Sequence, residues 1–207
     1  MGANAYLAAV ASYGREANTA ATVLTMFVDP KPGKRTAILG VAFSPSEKVE
    51  DLYIMQALGY TYASAVAASG ATNVHLTAQP GHAAESYGRP TNALAAADWL
   101  AVELTNGKYH YSPITTWTVA SLVASLTLAL SGSVASGAPI YNFGIYSDQG
   151  HFKVKCPAAA SAAQVTDQGD PFIFASNIRG APLIVYMQSA STTKCSVDYV
   201  MAGYFTV

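Results

Sequence analysis

The 207-residue chain reads as a mainly β protein: an antiparallel β-sandwich or jelly-roll-like architecture with one short helix and an N-terminal arm. Three observations predict this. Short apolar, β-branched or alternating runs recur along the chain, and alternation with period two is the pattern of a half-buried strand. Turn residues punctuate the runs, as in Asp29-Pro30-Lys31-Pro32-Gly33, Asn106-Gly107 and Ser147-Asp148-Gln149-Gly150. Helix start and stop signals coincide in a single segment.

Residues 1–20 are small and polar and read as an arm that is ordered only if something holds it. Residues 22–28 form an apolar, β-branched strand, and 36–43 return from the Pro/Gly turn as a second, giving an expected hairpin. The helix is expected over 44–59. Ser44-Pro45-Ser46-Glu47 has capping-box spacing with Pro at the first helical position, and Val49, Leu52, Tyr53 and Gln56 follow at three- and four-residue steps before Gly59. Strands are expected at 60–67 and 72–78, split by Ser69-Gly70. A Pro/Gly loop follows at 80–92. The chain is read as one β-rich domain over 21–207, with a subdivision near 80–95 left open.

Residues 98–105 and 108–111 flank Asn106-Gly107, which predicts a hairpin closed by a type I′ turn. Residues 117–130 alternate, with Ala124, Leu126, Leu128 and Leu130 on one side and Val123, Ser125 and Thr127 on the other, which predicts one long half-buried strand. Residues 140–146 and 151–156 flank the 147–150 turn as another expected hairpin. Strands at 171–175, 183–188 and 193–207 finish the chain, the last two joined by a short Ser/Ala/Thr turn.

Charge is the unusual quantity. Asp, Glu, Lys and Arg make up 11% of the residues, against roughly 25% in an average soluble domain. A folded monomer of this size exposes about 9,000 Å², so the 11 basic and 12 acidic residues would serve about 400 Å² each. Either the surface is polar and uncharged, or part of it is covered by partners, because interface cores are depleted in charge and enriched in aromatics. With a net charge of −1 and no basic stripe, no nucleic-acid binding is expected. The apolar run at 117–130 is shorter than a membrane span and carries Ser and Thr, so no membrane association is expected. Residues 1–12 lack the basic and apolar regions of a signal peptide, and Tyr6 stands where a myristoylation motif needs Ser or Thr.

Catalytic and metal chemistry leaves no pattern. Cys156 and Cys195 have no metal-ligand spacing; they pair only if their strands are neighbours, and free thiols are expected in a cytoplasmic product. His75, His82, His110 and His151 lie in no zinc motif, and no nucleophile elbow, phosphate loop or dinucleotide fingerprint occurs. Asp98 and Glu103 are five apart and face opposite sides of one strand. Asp167 and Asp170 read as an Asx-rich turn. No catalytic residue, metal or cofactor is expected. Three residues remain as candidate ligand or partner contacts. His82 has Glu85 three residues on, and Tyr109 and Tyr111 share one strand face, where an exposed pair stacks on a sugar ring or anchors a protein contact and a buried pair is core.

The C-terminal stretch Gly180-Ala-Pro-Leu-Ile-Val-Tyr186, followed by Ser/Ala/Thr-rich residues and Ser196-Val-Asp-Tyr-Val-Met-Ala-Gly-Tyr204, resembles the closing strands of tailed-phage virion proteins, of the head decoration (cement) and minor capsid types. The resemblance covers the last quarter of the chain by motif and the rest by composition. It implies β-rich protomers, often trimeric, that clamp seams between major capsid subunits, with a virion location and synthesis in the host cytoplasm. The arm at 1–20 and the loop at 80–92 would be contact elements. No site residue carries over. Two other readings stay open: a carbohydrate- or receptor-binding β-sandwich, and an enzyme of β-sandwich class with His82 or His110 in its site.

Overall fold

The computed structural model describes residues 6–8, 12–17, 23–30, 33, 35–38, 40–45, 49–82, 94, 96, 98–143, 151–155, 163–166, 174–175, 178–189, 196–201 and 204–206. All regular structure among them is β. The chain divides into two compact units: a body made of Met1–Met55 and His151–Val207, and an insert made of Gln56–Gly150.

The body's strands are β1 (Tyr6–Ala8), β2 (Ser12–Ala17), β3 (Val23–Val28), β4 (Arg35–Ile38), β5 (Gly40–Pro45) and β6 (Val49–Gln56) before the insert. The insert holds β7 (Gly59–Tyr62), β8 (Asn73–His75), β9 (Gly81–His82), β10 (Trp99–Glu103), β11 (Tyr109–Thr118), β12 (Val123–Leu126) and β13 (Pro139–Phe143). The body resumes with β14 (His151–Lys155), β15 (Ala163–Thr166), β16 (Phe174–Ala175), β17 (Leu183–Ser189), β18 (Ser196–Met201) and β19 (Tyr204–Thr206).

Two four-stranded sheets define the body, one in the order β15-β5-β18-β2 and the other in the order β14-β6-β17-β3. Along the chain these eight strands change sheet at every step except β6 to β14: β2, β5, β15 and β18 belong to the first, and β3, β6, β14 and β17 to the second. The pair β2/β3 therefore lies beside β18/β17, and β5/β6 lies between β18/β17 and β15/β14. This double-sheet, Greek-key order is that of a jelly roll. A further four-stranded sheet has the order β1-β19-β4-β16. Beside it, the Thr36 hydroxyl is buried and donates to the Ala181 carbonyl at 3.1 Å, and Ala181, Leu183 and Ile184 are buried.

Three expectations change here, one helix and two hairpins. Residues 49–56 form a strand, not a helix: β6 runs antiparallel to β14 with Met55 opposite His151 and Asp51 opposite Lys155. With ladder partners on both sides, β6 satisfies its backbone through the sheet, and its Val, Leu, Tyr, Ile and Met suit a strand as well as a helix. The hairpin expected at 22–43 does not form, because β3 pairs with β17 while β4 pairs with β19 and β16. The hairpin expected at 140–156 fails likewise, since β13 pairs with β10 and β7, and β14 pairs with β6. Consecutive β17 and β18 also sit in different sheets. Within residues 1–20, β1 pairs with β19 and β2 with β18, so the sheets take strands from this stretch. The division between compact units falls at 55/56 and 150/151.

The insert is a seven-stranded antiparallel sheet in the order β8-β12-β11-β10-β13-β7-β9. Its β10–β11 hairpin closes on a turn of different type from the one expected. The Gly107 amide donates to the Leu104 carbonyl at 2.9 Å, and Gly107 alone in the turn has positive φ, at 75°. This is a type I turn with a bulged glycine, in which Asn106 keeps negative φ and its Oδ1 accepts from the Lys108 amide at 3.0 Å. The run at 117–130 is not one strand either. It ends β11, turns at 119–122 with Leu122 at φ 52°, and returns as β12, so Ala124, Leu126 and Leu130 are buried while Leu128 is 51% exposed.

One face of this sheet carries Val74, Leu100, Val102, Ile114, Leu126 and Ile140, and the connecting segments add Ala63, Leu76, Leu104, Leu130 and Val134. All of these are buried. Burial of one such aliphatic side chain contributes about 1.5–3 kcal/mol, so this cluster is the principal favourable term for the insert. Asp98 is buried and Glu103 is half-buried, on opposite faces as their spacing predicts.

Candidate functional site

The other face of the insert sheet is aromatic. Register places Tyr60, Tyr141, Ala101 and Tyr111 side by side across β7, β13, β10 and β11. Two residues further along the strands, Tyr62 lies opposite Pro139 and Glu103 opposite Tyr109. Residues two apart share a face, so these eight positions line one surface. Ala101, at the centre, has no side chain beyond Cβ, which leaves room for longer neighbours to converge.

The rings form a continuous chain of contacts. Tyr62 meets Tyr60 edge-on, with centroids 5.9 Å apart and planes at 87°. Tyr60 meets Tyr141 at 6.2 Å and 44°, Tyr141 meets Tyr109 at 6.1 Å and 48°, and Tyr109 meets Tyr111 at 6.3 Å and 39°. These spacings are those of favourable aromatic pairs. Tyr60 and Tyr62 are 46% and 45% exposed, while Tyr111 and Tyr141 are 9% and 7% exposed. Tyr109 and Glu103 are intermediate.

One carboxylate sits in this surface. The Tyr109 hydroxyl donates to Glu103 Oε2 at 3.3 Å. Burial raises the Tyr109 phenol well above its ordinary value, and the neighbouring Tyr141 and the Glu103 charge raise it further. Burial also raises the Tyr141 phenol. Both phenols therefore stay protonated, and the face has a single negative charge with no Lys or Arg at any of its register positions.

The sequence-derived candidates fall as follows. Tyr109 and Tyr111 are brought together, but their planes are tilted and Tyr111 is buried. His82 lies in β9 at the far edge of the same sheet, opposite Gly59; its neighbour Glu85, and Cys156, Cys195, Asp167 and Asp170, lie outside the described residues. Tyr60, Tyr62, Tyr141 and Glu103 join the site although sequence reasoning did not count them among the candidate contacts; Glu103 was weighed only with Asp98 as a carboxylate pair. The signal was available in Tyr60-Thr61-Tyr62, which has the same two-residue spacing as Tyr109 and Tyr111.

His110 faces the core side of the sheet. Its Nδ1 accepts from the Ser131 amide at 3.3 Å, and its Nε2 lies 3.2 Å from the Leu128 carbonyl, which can only accept. The Leu128 amide donates in turn to Ser112 Oγ at 2.9 Å. These bonds pin the segment after β12 to β11. Among the described residues no group of three or more His, Cys, Asp or Glu is arranged to hold a metal ion. No helix among them is long and apolar enough to cross a membrane.

The described strands define a jelly roll whose sequence is interrupted, between β6 and β14, by a unit with a tyrosine-faced β-sheet. No protein-family model matches the chain, and no curated protein matches its sequence. Among solved structures, the chain is similar to VP17, a capsid protein of bacteriophage P23-77, at 10% identity and a TM-score of 0.21, over 99% of this chain and 100% of that one. It is also similar to the VP16-VP17 complex of the two major capsid proteins of bacteriophage P23-77, at 8% identity and a TM-score of 0.21, over 98% of each chain. A third likeness is to the structure of infectious bursal disease virus Gt strain, at 9% identity and a TM-score of 0.14, over 98% of this chain and 40% of that one. No residue role is carried over from these structures.

Proposed function

We propose that this chain is a non-enzymatic virion structural protein that binds and stabilises a capsid shell in a decoration or cement role. Its partners are major capsid or other virion proteins, and it acts as a homo-oligomer, with a trimer favoured. One observation carries the reading. The described residues of the insert include only three of formal charge, Asp98, Glu103 and Lys108, and Asp98 is buried. A free monomer keeps its surface mixed and charged, whereas the centre of a protein interface is poor in charge and rich in tyrosine. Jelly rolls build viral shells and also lectins, so the topology agrees with this reading without deciding it.

Light scattering of the purified chain over a range of concentrations tests the proposal. The expected result is a trimer or larger assembly of the 21.5 kDa protomer. A monomer at every concentration, with a melting temperature independent of concentration, would refute the homo-oligomer and leave either an interface formed only on the shell or a binding module.

A further inference from the structure

We propose that the tyrosine face of the insert is a docking site for a basic side chain, an arginine or lysine presented by a neighbouring polypeptide. The inference deepens the shell reading and rests on it for the identity of the neighbour.

The argument begins with charge. Glu103 is the one acidic side chain among the eight face positions, none of which is Lys or Arg. Among the described residues its hydrogen-bond partner is a neutral phenol, which supplies no opposite charge. Every group around it complements a cation. Tyrosine faces carry the negative lobe of the ring quadrupole, and a guanidinium or ammonium within about 6 Å of a ring centroid is attracted to it. The accessible rim of the site is Tyr60, Tyr62, Pro139, Glu103 and Tyr109, with Tyr111 and Tyr141 buried behind it.

Shape points the same way. Planes inclined by 39–87° make a folded wall rather than a flat platform. Ring faces turned in different directions can meet a compact cation on more than one side, whereas a coplanar pair is what a sugar ring would stack across. An anionic ligand is disfavoured, because the face offers it a carboxylate and no cation. Pro139 adds an apolar surface for the aliphatic stem that both basic side chains carry.

The test follows the tyrosine ring resonances of the full chain by NMR during titration with capped Gly-Arg-Gly. The neutral isostere Gly-citrulline-Gly and maltohexaose serve as separate arms. The expected result is saturable shifts of Tyr60, Tyr62 and Tyr109 with the arginine peptide, at least about tenfold weaker with citrulline, and weakened by salt. Glu103→Gln keeps the melting temperature and lowers the arginine affinity by at least about threefold. Equal shifts with citrulline, stronger shifts with maltohexaose, or silent rings with every probe would each overturn the proposal. Silent rings in a chain that still assembles would leave the shell reading standing and remove this one. Arginine binding by a strict monomer would keep this one and remove the homo-oligomer.

Discussion

His110 shows how one side chain can make the insert sensitive to acid. The Ser131 amide can only donate and the Leu128 carbonyl can only accept, so the ring is neutral with its proton on Nε2. Burial lowers its proton affinity, partly offset by the bond to Leu128. The sign follows from linkage. The unfolded chain takes up a proton near the ordinary value of about 6.5 while the folded chain resists it, so protonation favours unfolding. The contribution is complete above about pH 6.5 and is lost as pH falls through that value toward the lower folded one. The midpoint of thermal unfolding should therefore drop between pH 8 and pH 5, and His110→Asn should show a smaller drop. An equal drop in the variant would show that the effect does not come from His110. The tyrosines give the opposite expectation: with both phenols raised by burial, spectrophotometric titration should find Tyr109 and Tyr141 un-ionised at the pH where exposed tyrosines have lost their protons.

At the scale of elements, the β13 strand holds the insert together through Ile140, which is fully buried and sits between Val102 and Thr61 in register. Ile140→Ala should cost roughly 2–5 kcal/mol in urea unfolding. Leu128→Ala, at a 51% exposed position, should stay within about 0.5 kcal/mol. Comparable losses would mean that the core is not where this sheet places it. Strand positions were largely legible in the sequence because period-two alternation is local. Pairing was not, because it is decided by strands far apart in the chain: Val28 meets Leu183, and Ala17 meets Ser196. Turn signals misled for the same reason, since Ser147-Asp148-Gln149-Gly150 suits a tight hairpin but separates strands of different sheets. The segment 44–56 misled differently. Ser44-Pro45 ends β5, where a proline removes no central ladder bond, and three- and four-residue apolar spacing in Val49, Leu52, Tyr53 and Gln56 does not exclude a strand whose neighbours supply both ladders. For the aromatic face, Tyr109 and Tyr111 were legible as a pair. Tyr60, Tyr62 and Tyr141 join them only through the β7-β13-β10-β11 order.

For the whole molecule, the placement of the insert makes a sharp prediction. Met55 and His151 are register partners on β6 and β14, so the body needs nothing between them except a turn. Replacing residues 56–150 by Asn-Gly should give a two-residue hairpin and a shortened chain with a β-type circular dichroism spectrum and one cooperative melt. A shortened chain that fails to fold would show that the roll depends on its insert.

The same geometry bears on the order in which the chain folds. The two halves of the roll are separated by the whole of residues 56–150, and closing a flexible loop of that length costs on the order of 4 kcal/mol in chain entropy. Inside the insert, β7 and β13 pair close to its two ends, with the Leu58 amide donating to the Asn142 carbonyl at 2.8 Å. Once that ladder has formed, the long loop has already been closed, and β6 and β14 meet as if only a few residues lay between them. An insert that assembles first thus acts as a nucleus for the roll around it. Pulse-labelled hydrogen exchange during refolding should find Val102, Ile114 and Ile140 protected before Ile54 and Val154; simultaneous protection would put the nucleus elsewhere.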